Sequence, residues 1–164
     1  MSASANGRTR RFFRIFVWTF GFVVLLFICL LRVGFVVRRH PELSAIQTIR
    51  AIQEAELQYQ STYPDIGYTC SHSALMGDPK SGPPTPEAAQ ILRSSIYDAN
   101  GISNGYIFRI TGCTKNSMNR ATSYLITAVP QTPGETGNRG FCSDQSGRLK
   151  TDPTGGTHCI QDIF

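Results

Sequence analysis

Cysteine is the reactive residue type whose chemistry the sequence of this 164-residue chain constrains most. Four of its five cysteines lie in the polar part of the chain, at Cys70, Cys113, Cys142 and Cys159, and none belongs to a Cys-x-x-Cys pair. A zinc site would need closely spaced ligand pairs, so the sequence instead predicts two disulfides in an oxidising compartment, with three possible pairings. Cys29 lies in an apolar stretch, where an unpaired thiol behaves as a small hydrophobic side chain.

The histidines and the serine- and glycine-rich segments form no recognisable catalytic or metal-binding motif. His40, His72 and His158 stand apart, with no His-Glu-x-x-His pattern and no carboxylate at ligand spacing, so exposed histidines and no metal site are expected. The segment Ser143–Gly147 is typical of a turn, and residues 155–157 lack the glycine spacing and the lysine of a phosphate-binding loop. The sequence therefore predicts no enzyme activity and no cofactor.

The formal net charge of +5 is distributed unevenly along the chain. Residues 1–40 contain seven arginines and no acidic residue, whereas residues 41–164 contain nine Lys/Arg and eleven Asp/Glu, a net charge of −2. A domain with this charge does not attract nucleic acid, so no nucleic-acid partner is expected. The arginines are instead expected to flank a membrane-spanning segment, at Arg8, Arg10, Arg11, Arg14, Arg32, Arg38 and Arg39.

An apolar stretch lies between these arginines. Ile15 to Leu31 is a run of seventeen uncharged residues, which as a helix covers roughly 26 Å of a bilayer core of about 30 Å. Arg14 and Arg32 can bridge the remaining distance by placing their guanidinium groups at the level of the lipid headgroups. The expected organisation is a cytoplasmic basic stub at residues 1–11, a transmembrane helix at residues 12–40 and an extracytoplasmic domain at residues 41–164.

The orientation of this expected anchor depends on the cysteines. Four arginines precede the apolar stretch and three follow it, so the positive-inside bias is nearly balanced. Paired cysteines place the C-terminal domain in an oxidising compartment, and hence the N-terminus in the cytoplasm. A cleaved signal peptide is the alternative, but the stretch exceeds a typical h-region and no Ala-x-Ala-like site precedes Pro41. A single-pass protein of the inner (cytoplasmic) membrane with a periplasmic domain is expected.

Beyond Pro41 the sequence changes to an amphipathic helical pattern that ends before Pro64. Its apolar positions recur every three or four residues and are expected to pack on a sheet: Ala45, Ile46, Ile49, Ile52, Ala55 and Tyr59. A second helix is predicted after Thr85-Pro86, with a buried face formed by Ala88, Ile91, Leu92 and Ile96.

Four segments later in the chain have the composition of strands. They are Tyr106 to Thr111, Ser123 to Val129, Arg139 to Ser143 and Arg148 to Thr151. The predicted fold class is therefore α+β, with the long N-terminal helix, transmembrane and then amphipathic, packed on a four-stranded antiparallel sheet.

This arrangement resembles the type IV pilins and the pseudopilins of type II secretion. The segments that look like parts of a pilin-like ectodomain are the helical spine IRAIQEAELQYQ (49–60), YPDIGYTC (63–70), GYIFRITGC (105–113) and the closing hairpin RGFCSDQSG (139–147). The resemblance implies that Cys70 pairs with Cys113 and that Cys142 pairs with Cys159. It also implies other pilins, pseudopilins or secretion-system components as partners, beside the lipid bilayer.

The N-terminus departs from this family. Prepilins carry a glycine immediately before a Phe-Thr-Leu-Ile-Glu-like start, whereas here Arg11 precedes Phe12 and no glutamate follows in the apolar run. Without cleavage, four arginines would have to enter a filament core, where each buried unpaired charge costs several kcal/mol. The expected function is a structural or interaction role of an uncleaved, membrane-anchored, pilin-like protein. The alternatives are a genuine pseudopilin or minor pilin subunit, and an anchored ligand-binding or sensor domain.

Overall fold

The computed structural model of the chain describes residues 17–30, 41–93, 95–98 and 100–163. The chain divides into two compact units, Met1–His40 and Pro41–Phe164. In the first unit, residues 17–30 are helical and their side chains are exposed, Cys29 among them. No helix within the described ranges has the length and hydropathy that a membrane crossing requires. The rest of the expected span at residues 12–40, and all seven flanking arginines, lie outside the described residues.

The long helix α1 (Pro41–Thr62) opens the second unit. It begins at a proline, which is tolerated in the first turn, and the residues that follow up to Thr62 include neither glycine nor proline. Pro64 disfavours helix at Tyr63, so α1 ends where the sequence predicts. Two short helical elements follow, α2 (His72–Leu75) and a 3₁₀ turn (Pro79–Ser81).

The sheet of the second unit is antiparallel, and each strand pairs with the next one along the chain. Its strands are β1 (Ile102–Ser103), β2 (Tyr106–Thr111), β3 (Leu125–Pro130), β4 (Gly140–Asp144), β5 (Leu149–Asp152) and β6 (Gln161–Asp162). The fold class is α+β with an antiparallel sheet, as predicted, but the sheet has six strands rather than four. The two additional strands, β1 and β6, are edge strands of two residues each, too short to show the alternation that identifies strands in a sequence.

The helix predicted after Pro86 is absent from the described residues of that segment, 86–93 and 95–98. The N–H of Ile91 donates instead to the carbonyl of Leu75 in α2 at 2.9 Å, and neighbouring residues make similar bonds to α2. Gln90 has a φ of +57°, which is outside the right-handed helical region. Tertiary contacts with α2 therefore override the local helix propensity of this segment.

One hydrophobic core contains buried side chains from both α1 and the sheet. Five of the six predicted packing residues of α1 are buried in it and Ile46 is partly buried against it; the five are Ala45, Ile49, Ile52, Ala55 and Tyr59. The strands contribute Tyr106, Phe108, Ile110, Ile126, Ala128, Phe141 and Leu149. Full burial of one isoleucine or phenylalanine side chain contributes about 1.5–3 kcal/mol, so this shared core is the main favourable term in the stability of the second unit.

The close approach of Gly67 to Ala121 gives a first prediction. Gly67 has a φ of +84°, and a Cβ there would lie 2.1 Å from the main-chain oxygen of Ala121. Since neither the backbone conformation nor the oxygen can adapt cheaply, Gly67→Ala should lower the free energy of unfolding by about 3 kcal/mol, measured by urea denaturation.

Gly147 offers the matched control for this substitution. Its φ is +77°, but a Cβ there would meet nothing within 4 Å. Gly147→Ala should therefore cost only the strain of the left-handed conformation, about 1–2 kcal/mol. Equal losses in the two variants would contradict the close packing of Gly67 on Ala121.

Candidate functional site

The first turn of α1 is attached to the segment preceding β4 by a dense set of charged hydrogen bonds. Glu42 Oε2 accepts from Arg139 Nε at 3.0 Å and from Nη2 at 2.8 Å, and Glu42 Oε1 accepts from the backbone N–H of Asn138 at 3.0 Å. Partial burial tends to raise the pKa of Glu42, but the Asn138 N–H and the Arg139 guanidinium together hold it below its ordinary value. Glu42 therefore stays ionised near neutrality, at the helix end where a negative charge is favoured.

A second contact lies about three turns further along α1. Gln53 Nε2 donates to Ser143 Oγ at 2.7 Å, and Ser143 Oγ donates to the carbonyl oxygen of Arg148 at 2.7 Å. Ser143 is a buried residue of β4, and Arg148 immediately precedes β5. One hydroxyl group thus connects the helix to the hairpin formed by β4 and β5.

The third contact is made by Glu56, a carboxylic acid that is completely buried in the core. Its Oε2 accepts the backbone N–H of Thr69 at 2.8 Å, whereas Oε1 has no hydrogen-bond partner among the described residues. Burial raises the pKa of Glu56 from 4.5 to about 8, an effect that the Thr69 N–H only partly offsets. The side chain is therefore mostly protonated at neutral pH.

Two buried tyrosines are close enough to Glu56 to be affected by its charge. Burial, and secondarily the charge of Glu56, raises the pKa values of Tyr97 and Tyr124 well above their ordinary value, so both remain neutral. The Tyr97 hydroxyl also lies within hydrogen-bond distance of His72 Nδ1. His72 is half-buried rather than exposed as predicted, and this burial lowers its pKa. His158 is exposed, and His40 lies outside the described residues.

The second unit contains two disulfides, which is the number that the sequence predicts. Cys70 pairs with Cys113, with a Cα–Cα distance of 6.2 Å, and Cys142 pairs with Cys159, with a Cα–Cα distance of 6.0 Å. This is the pairing that the pilin resemblance implies. On the loop-entropy model each bond contributes about 3–4 kcal/mol. The bond from Thr69 to Glu56 fixes this short segment to α1, and the disulfide of the adjacent Cys70 fixes it to Cys113, two residues after β2.

The remaining site residues that the sequence predicts are the membrane-flanking arginines. The membrane-flanking arginines lie outside the described residues, and the structure therefore gives them no position. Within the described ranges, no three His, Cys, Asp or Glu side chains are grouped so that they could hold a metal ion. Thr48 and Glu56 are also buried on α1, although neither is among the packing residues that the sequence predicts. Their position in the sequence indicates this burial, because each lies four residues from Ile52 and so on the same helical face.

Comparisons of the chain with known protein families, with curated proteins and with solved structures find no match.

Glu56 makes stability depend on pH in a predictable direction. Between pH 4.5, where the unfolded side chain ionises, and about pH 8, the folded protein retains a proton that the unfolded chain has lost. The free energy of unfolding should therefore fall as pH rises through this window, by at most about 1.4 kcal/mol per pH unit from this group. Glu56→Gln should remove that slope, which denaturation at several pH values would reveal.

The control for this experiment is Glu54→Gln, which removes an exposed carboxylate two residues away on the same helix. This variant should retain the pH dependence of the wild-type protein. If Glu56→Gln and the wild-type protein lose stability equally between pH 5 and pH 8, Glu56 is not the group that titrates.

Proposed function

We propose that this chain is a membrane-anchored, pilin-like protein of the bacterial envelope, with a structural or interaction role and no enzyme activity. Residues 12–40 would cross the inner membrane once, with the stub at residues 1–11 in the cytoplasm and the domain at residues 41–164 in the periplasm. Its partners would be the lipid bilayer and other pilins, pseudopilins or secretion-system components.

The single observation that carries this proposal is the apolar surface of residues 17–30. This helical stretch contains no charged residue, and all fourteen of its residues are exposed. Trp18 is 79% exposed and Leu25 is 70% exposed. A continuous apolar surface of this size is unstable in water and is typical of a segment that contacts lipid or another protein. Arginines on both sides of it in the sequence favour lipid.

The two disulfides support an extracytoplasmic location for the second unit. Disulfides persist in the periplasm and outside the cell, whereas thiols are kept reduced in the cytoplasm. Four of the five cysteines are paired, and Cys29 in the apolar stretch is free. This division matches a chain whose apolar segment is in lipid and whose remaining cysteines are in an oxidising compartment.

The contacts between α1 and the sheet support the pilin-like part of the proposal. In pilins a long helix continues into an ectodomain and packs on an antiparallel sheet that a disulfide closes. Here the apolar face of α1 shares its core with β2, β3 and β4, and Cys142 of β4 is joined to Cys159 near the C-terminus. This arrangement of α1 is the one that the resemblance in sequence implies.

An interaction role is favoured by the loop between β2 and β3. Its turn is fixed by Asn116, whose Oδ1 accepts the N–H groups of Met118 and Arg120, each at 3.0 Å. The loop begins at the Cys113 disulfide and presents Met118 to solvent with 68% of its surface exposed. A rigid loop loses little conformational entropy on binding, so an apolar side chain at its tip is suited to contact a partner.

Membrane anchoring can be tested on the apolar stretch. The double substitution Leu25→Arg/Ile28→Arg should weaken insertion by about 5–7 kcal/mol, because each arginine at mid-membrane costs about 2.5–3.5 kcal/mol. Alkaline extraction of membranes should release this variant and retain both the wild-type chain and the control Leu25→Phe/Ile28→Phe. Recovery of the wild-type chain in the soluble fraction would contradict the anchor.

The absence of leader processing is a separate prediction. The intact mass of the chain should be the same in cells with and without a prepilin peptidase, since the residue immediately before Phe12 is Arg11 and not glycine. Cleavage immediately before Phe12 would establish the alternative function of a genuine pseudopilin or minor pilin.

The orientation of the chain in the membrane can be tested with a C-terminal alkaline phosphatase fusion. The fusion should be active, because this enzyme folds only outside the cytoplasm. An inactive fusion would contradict the proposed orientation.

The interaction role can be tested at Met118. With a photo-crosslinking residue in place of the exposed Ser117, Met118→Ser should reduce the yield of the partner adduct in intact cells at least fivefold, the effect of losing an interface hot spot. The melting temperature should not change, because Met118 lies outside the core. Ile160→Ser, at a side chain that is 76% exposed elsewhere, is the control. Undiminished crosslinking in Met118→Ser would exclude this loop as the interface.

A further inference from the structure

An open cleft lies on the face of the sheet that points away from α1. On β4, Phe141 is in the core and Ser143 contacts Gln53 of α1, so the alternating residues Cys142 and Asp144 point to the opposite face. The pairing of the strands then places Leu125 beside Asp144 and Lys150 beside Cys142 on that face. The cleft has a volume of about 260 Å³, and its lining also includes Ser143, Arg148, Thr157 and Cys159.

The cleft contains two cationic side chains without a direct ionic partner. Within the described residues, neither Arg148 nor Lys150 forms an ion pair, and the only carboxylate in the lining is that of Asp144. Asp144 Oδ1 already accepts hydrogen bonds from the N–H and the hydroxyl of Ser146. These bonds, led by the hydroxyl, together with the two cations hold the pKa of Asp144 below its ordinary value, so it is ionised. The lining therefore has a net charge of +1.

This positive charge is local to the cleft. Residues 41–164 have a net charge of −2, so the domain as a whole repels small anions. Asp162 is opposite Lys150 in the register of β6, but among the described residues it forms no ion pair with it. An anion that binds this domain would therefore bind at the cleft and not through a general attraction.

The other lining groups limit the kind of ligand. Leu125 is 36% exposed and, with the disulfide between Cys142 and Cys159, forms an apolar wall beside the cations. The volume is slightly below the range of about 300–1,000 Å³ that is typical of pockets for drug-sized molecules. We propose that the cleft binds one carboxylate or phosphate group carried on a small organic molecule or glycan. Arg148 would hold two oxygens of the anion, Lys150 would supply a second positive charge, and the adjoining carbons would contact Leu125.

The same anionic group could belong to a soluble molecule or to a lipid headgroup, since both present the chemistry that Arg148 and Lys150 would recognise. The cleft lies at the level of Ser143, which contacts Gln53, whereas Glu42 and Arg139 mark the N-terminal end of α1. Glu42 and Gln53 are eleven positions apart on α1, about 16 Å along the helix axis, so the cleft lies away from the N-terminal end of this helix. The inference goes beyond the proposed function and does not require the chain to be anchored.

The experiment is a titration of the full chain in neutral detergent, followed by NMR of the backbone amides at constant ionic strength. Inorganic phosphate and acetate should cause saturable shifts of the Arg148, Lys150 and Thr157 signals, with a dissociation constant on the order of millimolar, whereas chloride should not. The double variant Arg148→Gln/Lys150→Gln should weaken binding at least tenfold. Asp144→Asn, which retains the Oδ1 acceptor but removes the negative charge, should strengthen it severalfold.

The matched control is Lys115→Gln/Arg120→Gln, which removes the same charge from the loop between β2 and β3. It should bind phosphate as tightly as the wild-type chain. Loss of binding in this control, equal shifts with chloride, or the absence of any saturable shift would overturn the proposal. Phosphatidylglycerol added to the neutral detergent micelles forms a second arm: shifts of the same three signals that inorganic phosphate reverses assign a lipid headgroup to the cleft, and no shift of these signals assigns a soluble ligand.

Discussion

The stability of the second unit depends on the burial of one face of α1 in the core that it shares with the sheet. Polar contacts fix how the two elements align, because Glu42 contacts Arg139 and Gln53 contacts Ser143. The two α1 residues are about 16 Å apart along the helix and the two strand-side residues are about 13 Å apart along an extended chain. These lengths agree only if α1 and β4 run in nearly the same direction. The apolar face supplies the free energy, and the two polar contacts select one register.

Glu56 adds a constraint of a different kind. An acid in a hydrophobic core lowers stability when it ionises, yet here its protonated form accepts the Thr69 N–H and so positions the residue next to Cys70. The segment that follows α1 is irregular, and its backbone donors need partners once they are buried. A buried carboxyl group and a disulfide hold this segment from opposite sides. The cost is a core whose stability falls as the pH rises from 4.5 to the pKa of Glu56, at about 8.

Local patterns predicted the elements that local chemistry determines. The limits of α1 follow from Pro41 and Pro64, and the limits of β2 follow from the alternation in Tyr106–Thr111. The segment after Pro86 was predicted to be helical because its apolar spacing suits a helix, but its backbone donors have better acceptors in α2, which no local pattern reveals. The two edge strands exist only because longer neighbours pair with them. Of the site, sequence spacing predicted the apolar face of α1. It did not predict the partners of Glu42, Gln53 and Glu56, which come from residues 13 to 97 positions away.

The geometry of α1 also bears on how an anchored domain would meet its partners. The helix has 22 residues and is therefore about 33 Å long. The Glu42–Arg139 contact is at its N-terminal end, whereas Ile66, which accepts a hydrogen bond from Ala121 in the loop carrying Met118, follows its C-terminal end. If residues 12–40 anchor the chain as proposed, the exposed Met118 loop is held at the end of α1 remote from residue 41. The helix then has two roles that the same residues serve. Its buried face completes the core, and its length separates the Met118 loop from residue 41.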